Sequence, residues 1–477
     1  MDVIMKKLIA IILLSTFPVL VSAQIIHVPA DQPTIQAAIN AAVNGDTVLV
    51  DTGIYCENIN FQGKNIVVAS NYLITQDTSY LNNTIISYDD FYTPIVSFLN
   101  NEDSTTLLCG FTITANESRC MGGYGIECFN SSPVLRALKI HCGSSCTSYA
   151  VNCDSSILFL ENVEISYSGG QLAWAISLSD SRVTLQNSII KNCGNHLMLV
   201  MNSTLNIFNC SMFDNGSGID GFHSSLNIDN VEIDYDGISV SDCSMNIRNS
   251  KISYNYGPGL KCINSHVIAI NTLINKNTGG GLNSSGFNVF LQNVTIADNT
   301  SAANGGGIHS VNDSSFVFDS IHRCNMYNNY SSSEGNDIYS NTFMEVKVDT
   351  FTVWNPSDIQ ATPIDNFSFD IMYGIHTPVS ADHYVSPEGD NMNSGLTASE
   401  PLKNIYMATS LIIPDSTEPH TIHLLPGTYS RETSGEFYPV QLSDYINLEG
   451  TDRDTTILSC HWETKIEIKN TDRKSVV

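Results

Sequence analysis

Asp214, Asp234 and Asp236 form the densest acidic group in the middle of the chain, with Glu232 beside them and Lys251 and Lys191 as the nearest bases. Converging carboxylates supply the hard oxygen ligands that calcium takes. A lysine next to such an ion could act as a general base. Asp214, Asp234, Lys191 and Lys251 are therefore the candidate catalytic set, and Asp214, Asp234 and Asp236 the candidate calcium ligands. The same residues admit a plainer account, in which Glu232 and Lys251 make a surface ion pair and Asp236 fills a bend position used elsewhere by Asn. Asp220 and His223, in Gly218-Ile219-Asp220-Gly221-Phe222-His223, offer a second acid and imidazole, for which a structural bend is the simpler explanation. Tyr167, Tyr235 and Tyr254 fall at one place in their segments, and an exposed tyrosine face can stack on a sugar ring. Asn192 and Asp214 interrupt that column, and with only three tryptophans the chain is poor in the other stacking residue.

Whether these groups meet depends on a repeat. Ile140, Ile165, Ile190, Met212, Ile233, Ile252, Ile274 and Ile296 recur 19 to 25 residues apart, and Ile113 extends the series upstream. Asn162, Asn187, Asn209, Asn230, Asn249, Asn271 and Asn293 stand three residues before these positions. Such a period is too short for helix-pair repeats and lacks a leucine-rich consensus. Within a repeat, Leu158, Leu160 and Ile165 alternate inward while Glu161 and Glu164 face solvent, which is a strand pattern. Three short strands and three bends per turn fit the spacing. Three residues past the apolar position come Asn116, Asn215, Asn255, Asn277 and Asn299, with Ser168 and Asp236 at the same place. Asn tolerates the left-handed conformation of a tight bend, and stacked amides can bond from turn to turn. Gly125, Gly218, Gly237, Gly259, Gly281 and Gly307, each before Ile or Leu, mark a second bend. No 3.6-residue stripe lasts two turns, so the region is parallel β, with each residue stacked on its counterpart about 4.8 Å away.

The entrance is Ile26-His27-Val28-Pro29, then Pro33-Thr34-Ile35-Gln36-Ala37-Ala38-Ile39, Gly45-Asp46-Thr47-Val48-Leu49-Val50 and Gly53-Ile54-Tyr55. Thr34 predicts an N-cap for a helix whose Ile35, Ala38 and Ile39 cover the open end of the core. These motifs recur in order as His383-Tyr384-Val385-Ser386-Pro387, Pro401-Leu402-Lys403-Asn404-Ile405, His420-Thr421-Ile422-His423-Leu424 and Pro426-Gly427-Thr428-Tyr429. Asn83 to Ser87 is likewise matched by Thr455 to Ser459. With this entrance and its repeats, the chain resembles the secreted right-handed parallel β-helix proteins of the pectin-lyase-like superfamily. Its second entrance is similar to a family of unknown function that opens such helices.

The resemblance implies an all-β fold, a right-handed parallel β-helix solenoid with an N-terminal capping helix, followed by the truncated start of a second β-helix. The expected divisions are a signal peptide over 1–23, the β-helix over 24–345, a connector over 346–382 and the second β-helix-like domain over 383–477. Asp472 to Val477 also reads like one frame of a sequencing adapter, so truncation is expected there. Superfamily members include lyases, hydrolases, esterases and non-catalytic surface proteins, so the fold does not choose among them. The Gly-His-Gly of the polygalacturonases is absent.

Lys6 and Lys7, an apolar run from Leu8 to Val21 broken by Pro18, and the small residues Val21 and Ala23 before Gln24 are the parts of a secretory signal peptide. No membrane-spanning run follows. The 21 Lys+Arg against 48 Asp+Glu give a net charge of −27, which excludes nucleic acid as a default partner. The thirteen cysteines match no zinc spacing. Cys142 with Cys146, or Cys120 with Cys128, could pair, but Cys128 and Cys153 lie one repeat apart, and buried thiols in a stacked column are the favoured account. The sequence thus describes a secreted or cell-surface protein that binds or presents to extracellular polysaccharide or a cell-surface glycan. It leaves catalysis open. The alternatives are a calcium-dependent pectate-type polysaccharide lyase, with a glycoside hydrolase the other enzymatic possibility, and a structural stalk or adhesin. Calcium is the sole candidate cofactor.

Overall fold

The computed structural model describes residues 23–88, 93–115, 124–142, 149–167, 174–194, 196–235, 237–436, 438, 440–442, 444–459 and 466–468. The chain is a parallel β-helix solenoid with two long parallel sheets, of 23 and 13 strands. Each turn gives one strand to the smaller sheet and two, separated by a bend, to the larger.

The repeated apolar positions stack as the periodicity requires. Ile140 pairs with Ile165, Ile165 with Ile190, Ile190 with Met212, Met212 with Ile233, and so on through Ile252 and Ile274 to Ile296. The series extends to Ile113 above and Met326 below, and every member is fully buried. Burying one such side chain stabilises by about 1.5–3 kcal/mol.

The strand Thr204–Phe213 shows why the apolar spacing changes from two to three within a repeat. Leu205, Ile207, Cys210 and Met212 are buried, and the parity switches at Asn209, whose φ is +54°. Asn162, Asn187, Asn230, Asn249, Asn271 and Asn293 are left-handed at the same place. Their exposed amides bond along the column, from Asn209 to Asn187 at 3.1 Å and from Asn293 to Asn271 at 2.9 Å.

The other asparagine series differs from expectation. Asn215, Asn255, Asn277 and Asn299 are buried, and the left-handed residues at that bend are those just before them, Asp214, Tyr254, Lys276 and Asp298. Turned inward, Asn255 donates to Asn277 at 2.6 Å, Asn277 to Asn299 at 2.8 Å, and Asn299 to Asn329 at 3.0 Å. The carbonyl oxygens of Asn277, Asn299 and Asn329 also accept the main-chain N–H one turn away, as Asn299 does from Asn277 at 3.0 Å. The ladder thereby satisfies polar groups that burial would otherwise strand. Asn116, Ser168 and Asp236 lie outside the described residues.

The first helix, Ile35–Ala41, begins at Thr34, whose hydroxyl accepts from the Ala37 N–H at 3.1 Å. Ile35, Ala38 and Ile39 close the core as expected. Glu57, from the following turn, accepts from the N–H groups of Ile35 and Gln36 at 2.8 and 2.9 Å.

Strands Met344–Val353 and Phe367–His376 pair in parallel with each other, so coil stacking runs past residue 345 as far as His376. The chain then forms the strand His383–Val385, the helix Ile405–Leu411 and the strands His420–Leu424, Gly427–Tyr429, Ile446–Gly450 and Thr456–Leu458. Here Glu436 accepts from the N–H groups of Ile405 and Tyr406 at 2.9 and 3.4 Å, as Glu57 does at the first helix. The Tyr429 hydroxyl donates to the Leu425 carbonyl four residues back, as the Tyr55 hydroxyl does to Asp51. All seven residues of this helix are buried, and Tyr406 packs on Tyr330 of the solenoid.

Cys128 and Cys153 stack in register as buried free thiols, in line with the favoured account. Burial pushes both thiols up, Cys153 to about 11, which keeps them unreactive. Cys120, Cys146 and the side chain of Cys142 lie outside the described residues. Among the described residues no helix is long and apolar enough to cross a membrane.

Candidate functional site

Register separates the acidic residues singled out in the sequence. Asp234 stacks between Phe213 and Ser253, whereas Asp214 sits one residue further on, exposed at the left-handed bend. The ammonium of Lys251 lies 2.6 Å from Glu232 and 3.3 Å from Asp234, and Asp234 also accepts from the Ser253 hydroxyl. Burial alone would lower the Lys251 pKa, but the bonds from Glu232 and Asp234 outweigh it and hold the ammonium above its ordinary value. A lysine held charged in this way is a poor base. Lys191 is paired with Glu164 at 2.8 Å. Among the described residues no group of three or more His, Cys, Asp or Glu is placed to hold a metal ion, and Asp236 lies outside them. Asp220 and His223 do not meet either: His223 is exposed and faces Asp242 at 3.9 Å.

The tyrosine column leads elsewhere. Tyr235 and Tyr254 stack on successive turns, with ring centroids 5.8 Å apart and planes 24° apart, both partly exposed. They share the left-handed bend with Asp214, and the column continues through Lys276, Asp298 and Asn328. The side chain of Tyr167 lies outside the described residues. Lys276 reaches back over the Tyr254 ring, 5.3 Å from its centroid and 3.2 Å from its hydroxyl. One column further round, Arg431 of the C-terminal segment lies 5.1 Å over the ring of Tyr256 and donates to the Thr278 hydroxyl at 2.6 Å.

Between these columns and residues 389–436 lies a cavity of about 530 Å³, within the ~300–1,000 Å³ range of small-ligand sites. Tyr235, Tyr254 and Tyr256 form its aromatic side, and its charged residues are Lys276, Lys403 and Arg431 together with Asp298, Asp390, Glu432 and Glu436. Asn404 holds the opposite wall by donating to the Ser434 carbonyl at 2.7 Å, while Asn391 accepts from the Lys403 N–H at 3.0 Å. Burial raises the Asp298 carboxyl against the pull of Lys276, and Asp390 adds to the rise. Arg136, Lys191, Lys251, Arg323 and Lys347 are each engaged with a carboxylate. Among the described residues Lys276, Lys403 and Arg431 are in no such pair; Lys276 gives one N–H to the Tyr254 hydroxyl and Arg431 one to the Thr278 hydroxyl. The sequence pointed to Tyr235 and Tyr254 by their equal place in the repeat. It carried no signal for Lys403, Arg431 or Asp298, because only the packing of a distant segment brings them together.

A family described as "Protein of unknown function (DUF1565)" matches residues 387–459, which agrees with the resemblance read from the second entrance. No curated protein matches the chain. Among solved structures, the A-module of mannuronan C-5 epimerase AlgE6 from Azotobacter vinelandii is similar at 12% identity and a TM-score of 0.36, over 70% of this chain and 94% of that one. A mannuronic acid specific polysaccharide family 6 lyase from human gut microbiota is similar at 12% identity and a TM-score of 0.36, over 73% and 91%. Tailspike protein 3 of bacteriophage CBA120 is similar at 8% identity and a TM-score of 0.30, over 90% and 58%. Likeness at these levels concerns the stacked β architecture and says nothing of activity.

Proposed function

We propose that this chain is an exported or cell-surface β-helix protein that binds extracellular polysaccharide in the cavity between the tyrosine columns and residues 389–436. The observation that carries this reading is the Tyr235–Tyr254 stack at a cavity whose Lys276, Lys403 and Arg431 are, among the described residues, in no ion pair. Tyrosine faces suit the apolar faces of sugar rings, and the amino, guanidinium and carboxyl groups suit their hydroxyls. Lys251 and Lys191 are both engaged by carboxylates, which favours binding over elimination at the acidic cluster. Export rests on Lys6, Lys7, the apolar run to Val21 and Ala23, of which only Ala23 is a described residue. Residues 383–477 are the opening of a second β-helix-like domain, a reading supported by the matching order of strands and the shared Glu57 and Glu436 caps.

The test is native gel electrophoresis of the exported chain through a panel of acidic and neutral polysaccharides. At least one polymer should retard the protein, and Tyr254→Ala should weaken that retardation about threefold to tenfold. Absence of retardation by any polymer, with the protein folded, sinks the reading. Release of unsaturated uronate ends would replace it with a lyase.

A further inference from the structure

Three residues that line no part of the cavity stand in the order of a nucleophile, a base and an orienting acid. Ser380 Oγ lies 2.7 Å from Nε2 of His420. On the other side of the same ring, Nδ1 of His420 lies 3.7 Å from Oδ1 of Asp382. We propose that Ser380, His420 and Asp382 form a serine-hydrolase site for O-acyl esters.

Each member is held for its part. His420 is almost fully buried on the strand His420–Leu424, where its N–H donates to the Tyr445 carbonyl at 3.1 Å. Asp382 is fixed from two sides, its Oδ1 accepting from the Thr421 N–H at 2.7 Å and its Oδ2 lying 3.2 Å from His423 Nε2. An ionised carboxylate only accepts hydrogen bonds, so the imidazole proton belongs on Nδ1, toward Asp382. Nε2 is then left to accept from Ser380. The 3.7 Å approach is longer than a hydrogen bond, as such contacts often are without substrate.

Ser380 itself is exposed, directly after Val379, whose N–H and carbonyl are bonded to Leu411 and Ile413 at 3.0 and 2.9 Å. An ester carried on a large molecule can therefore reach a serine whose backbone is anchored. Among the described residues the N–H of Ala381, next to the nucleophile, makes no hydrogen bond and is available to a developing oxyanion.

The reaction balances with ester and water alone. Ser380 Oγ bonds to the acyl carbon as its proton passes to His420 Nε2. The C–O bond to the leaving alcohol breaks, and that alcohol takes the proton. Water then attacks the acyl-serine, its proton passes through His420 to Ser380, and the carboxylic acid departs.

The experiment treats the full chain with a fluorophosphonate probe and, separately, with p-nitrophenyl acetate. It uses no glycan, so its outcome is independent of the polysaccharide reading. The probe should label Ser380, as located by peptide mass spectrometry. Ser380→Ala should abolish labelling and hydrolysis with an unchanged circular dichroism spectrum. Asp382→Asn should slow hydrolysis about a hundredfold or more. Wild-type protein that is folded yet unlabelled, labelling at another residue, or a full rate in Asp382→Asn would each overturn the proposal.

Discussion

The ring of Tyr406 lies flat on that of Tyr330, with centroids 4.3 Å apart and planes 27° apart. One belongs to the helix that opens the C-terminal segment, the other to a solenoid strand, and both are buried. The pair therefore joins the two parts of the chain beside the cavity that each helps to line. Truncating a buried aromatic ring costs about 3–5 kcal/mol. Tyr406→Ala should release the segment, seen as faster limited proteolysis within residues 383–459 while cleavage within the solenoid stays slow. Equal protection of both parts in the variant would refute this role.

The buried asparagine ladder makes a contrast between two asparagines. Asn277 accepts from the main-chain and side-chain N–H groups of Asn255 at 3.1 and 2.6 Å. Asn277→Ala strands both donors inside the protein, at about 1–3 kcal/mol each. Asn271 on the outer column is exposed, and glycine tolerates its φ of +51°. Asn271 donates to Asn249 at 3.0 Å and accepts from Asn293 at 2.9 Å, and water can replace both exposed bonds, so Asn271→Gly should lose less than Asn277→Ala, about 1 kcal/mol or less per bond. Urea unfolding of the two variants measures the difference.

Close approach, and not a left-handed φ, explains the glycine at position 218. A Cβ there would stand 1.4 Å from the carbonyl oxygen of Gly237, the acceptor of the Ile219 N–H on the next turn. Gly218→Ala must push two coils apart and should lower stability by about 4 kcal/mol or more. Gly257, where an added Cβ meets nothing within 4 Å, serves as the control, and Gly257→Ala should shift the melting temperature little. Similar shifts in both would refute the packing argument.

Asp337 ends the asparagine ladder fully buried, and burial raises its carboxyl to about 7 against the pull of Thr352 and Asn329. Because the folded value lies above the ordinary 3.8, the folded state keeps a proton that the unfolded chain has released between these values. Stability should accordingly fall as pH rises from about 4 to about 7, with no further loss from this group above that window. Asp337→Asn should remove this part of the slope. Unfolding free energies at pH 4.5, 6 and 7.5 for both proteins would show it, and parallel profiles would rule it out.

The fold was legible because a solenoid writes its tertiary contacts into its period. Ile140 meets Ile165 and Ile233 meets Ile252 since one turn of chain separates them, so the spacing of apolar residues is itself the register. The cap at Thr34 and the stacked thiols Cys128 and Cys153 followed from the same local chemistry. Which asparagines turn left-handed was less legible, because the bend at Tyr254 and Lys276 takes its positive φ one residue before the ladder and leaves Asn255 and Asn277 pointing inward. Composition favours Asn at a bend, but the need to satisfy buried main-chain groups decides which way its side chain turns. The cavity lay further beyond the sequence. Arg431 and Thr278 are hydrogen-bonded across 153 residues of chain, and no periodicity relates them. Residue types and spacing determined a stacked β-helix with exposed tyrosines on successive turns. Only the docking of the C-terminal segment, driven by burial of Tyr406 and its helix, placed Lys403 and Arg431 opposite those tyrosines and made a site of them.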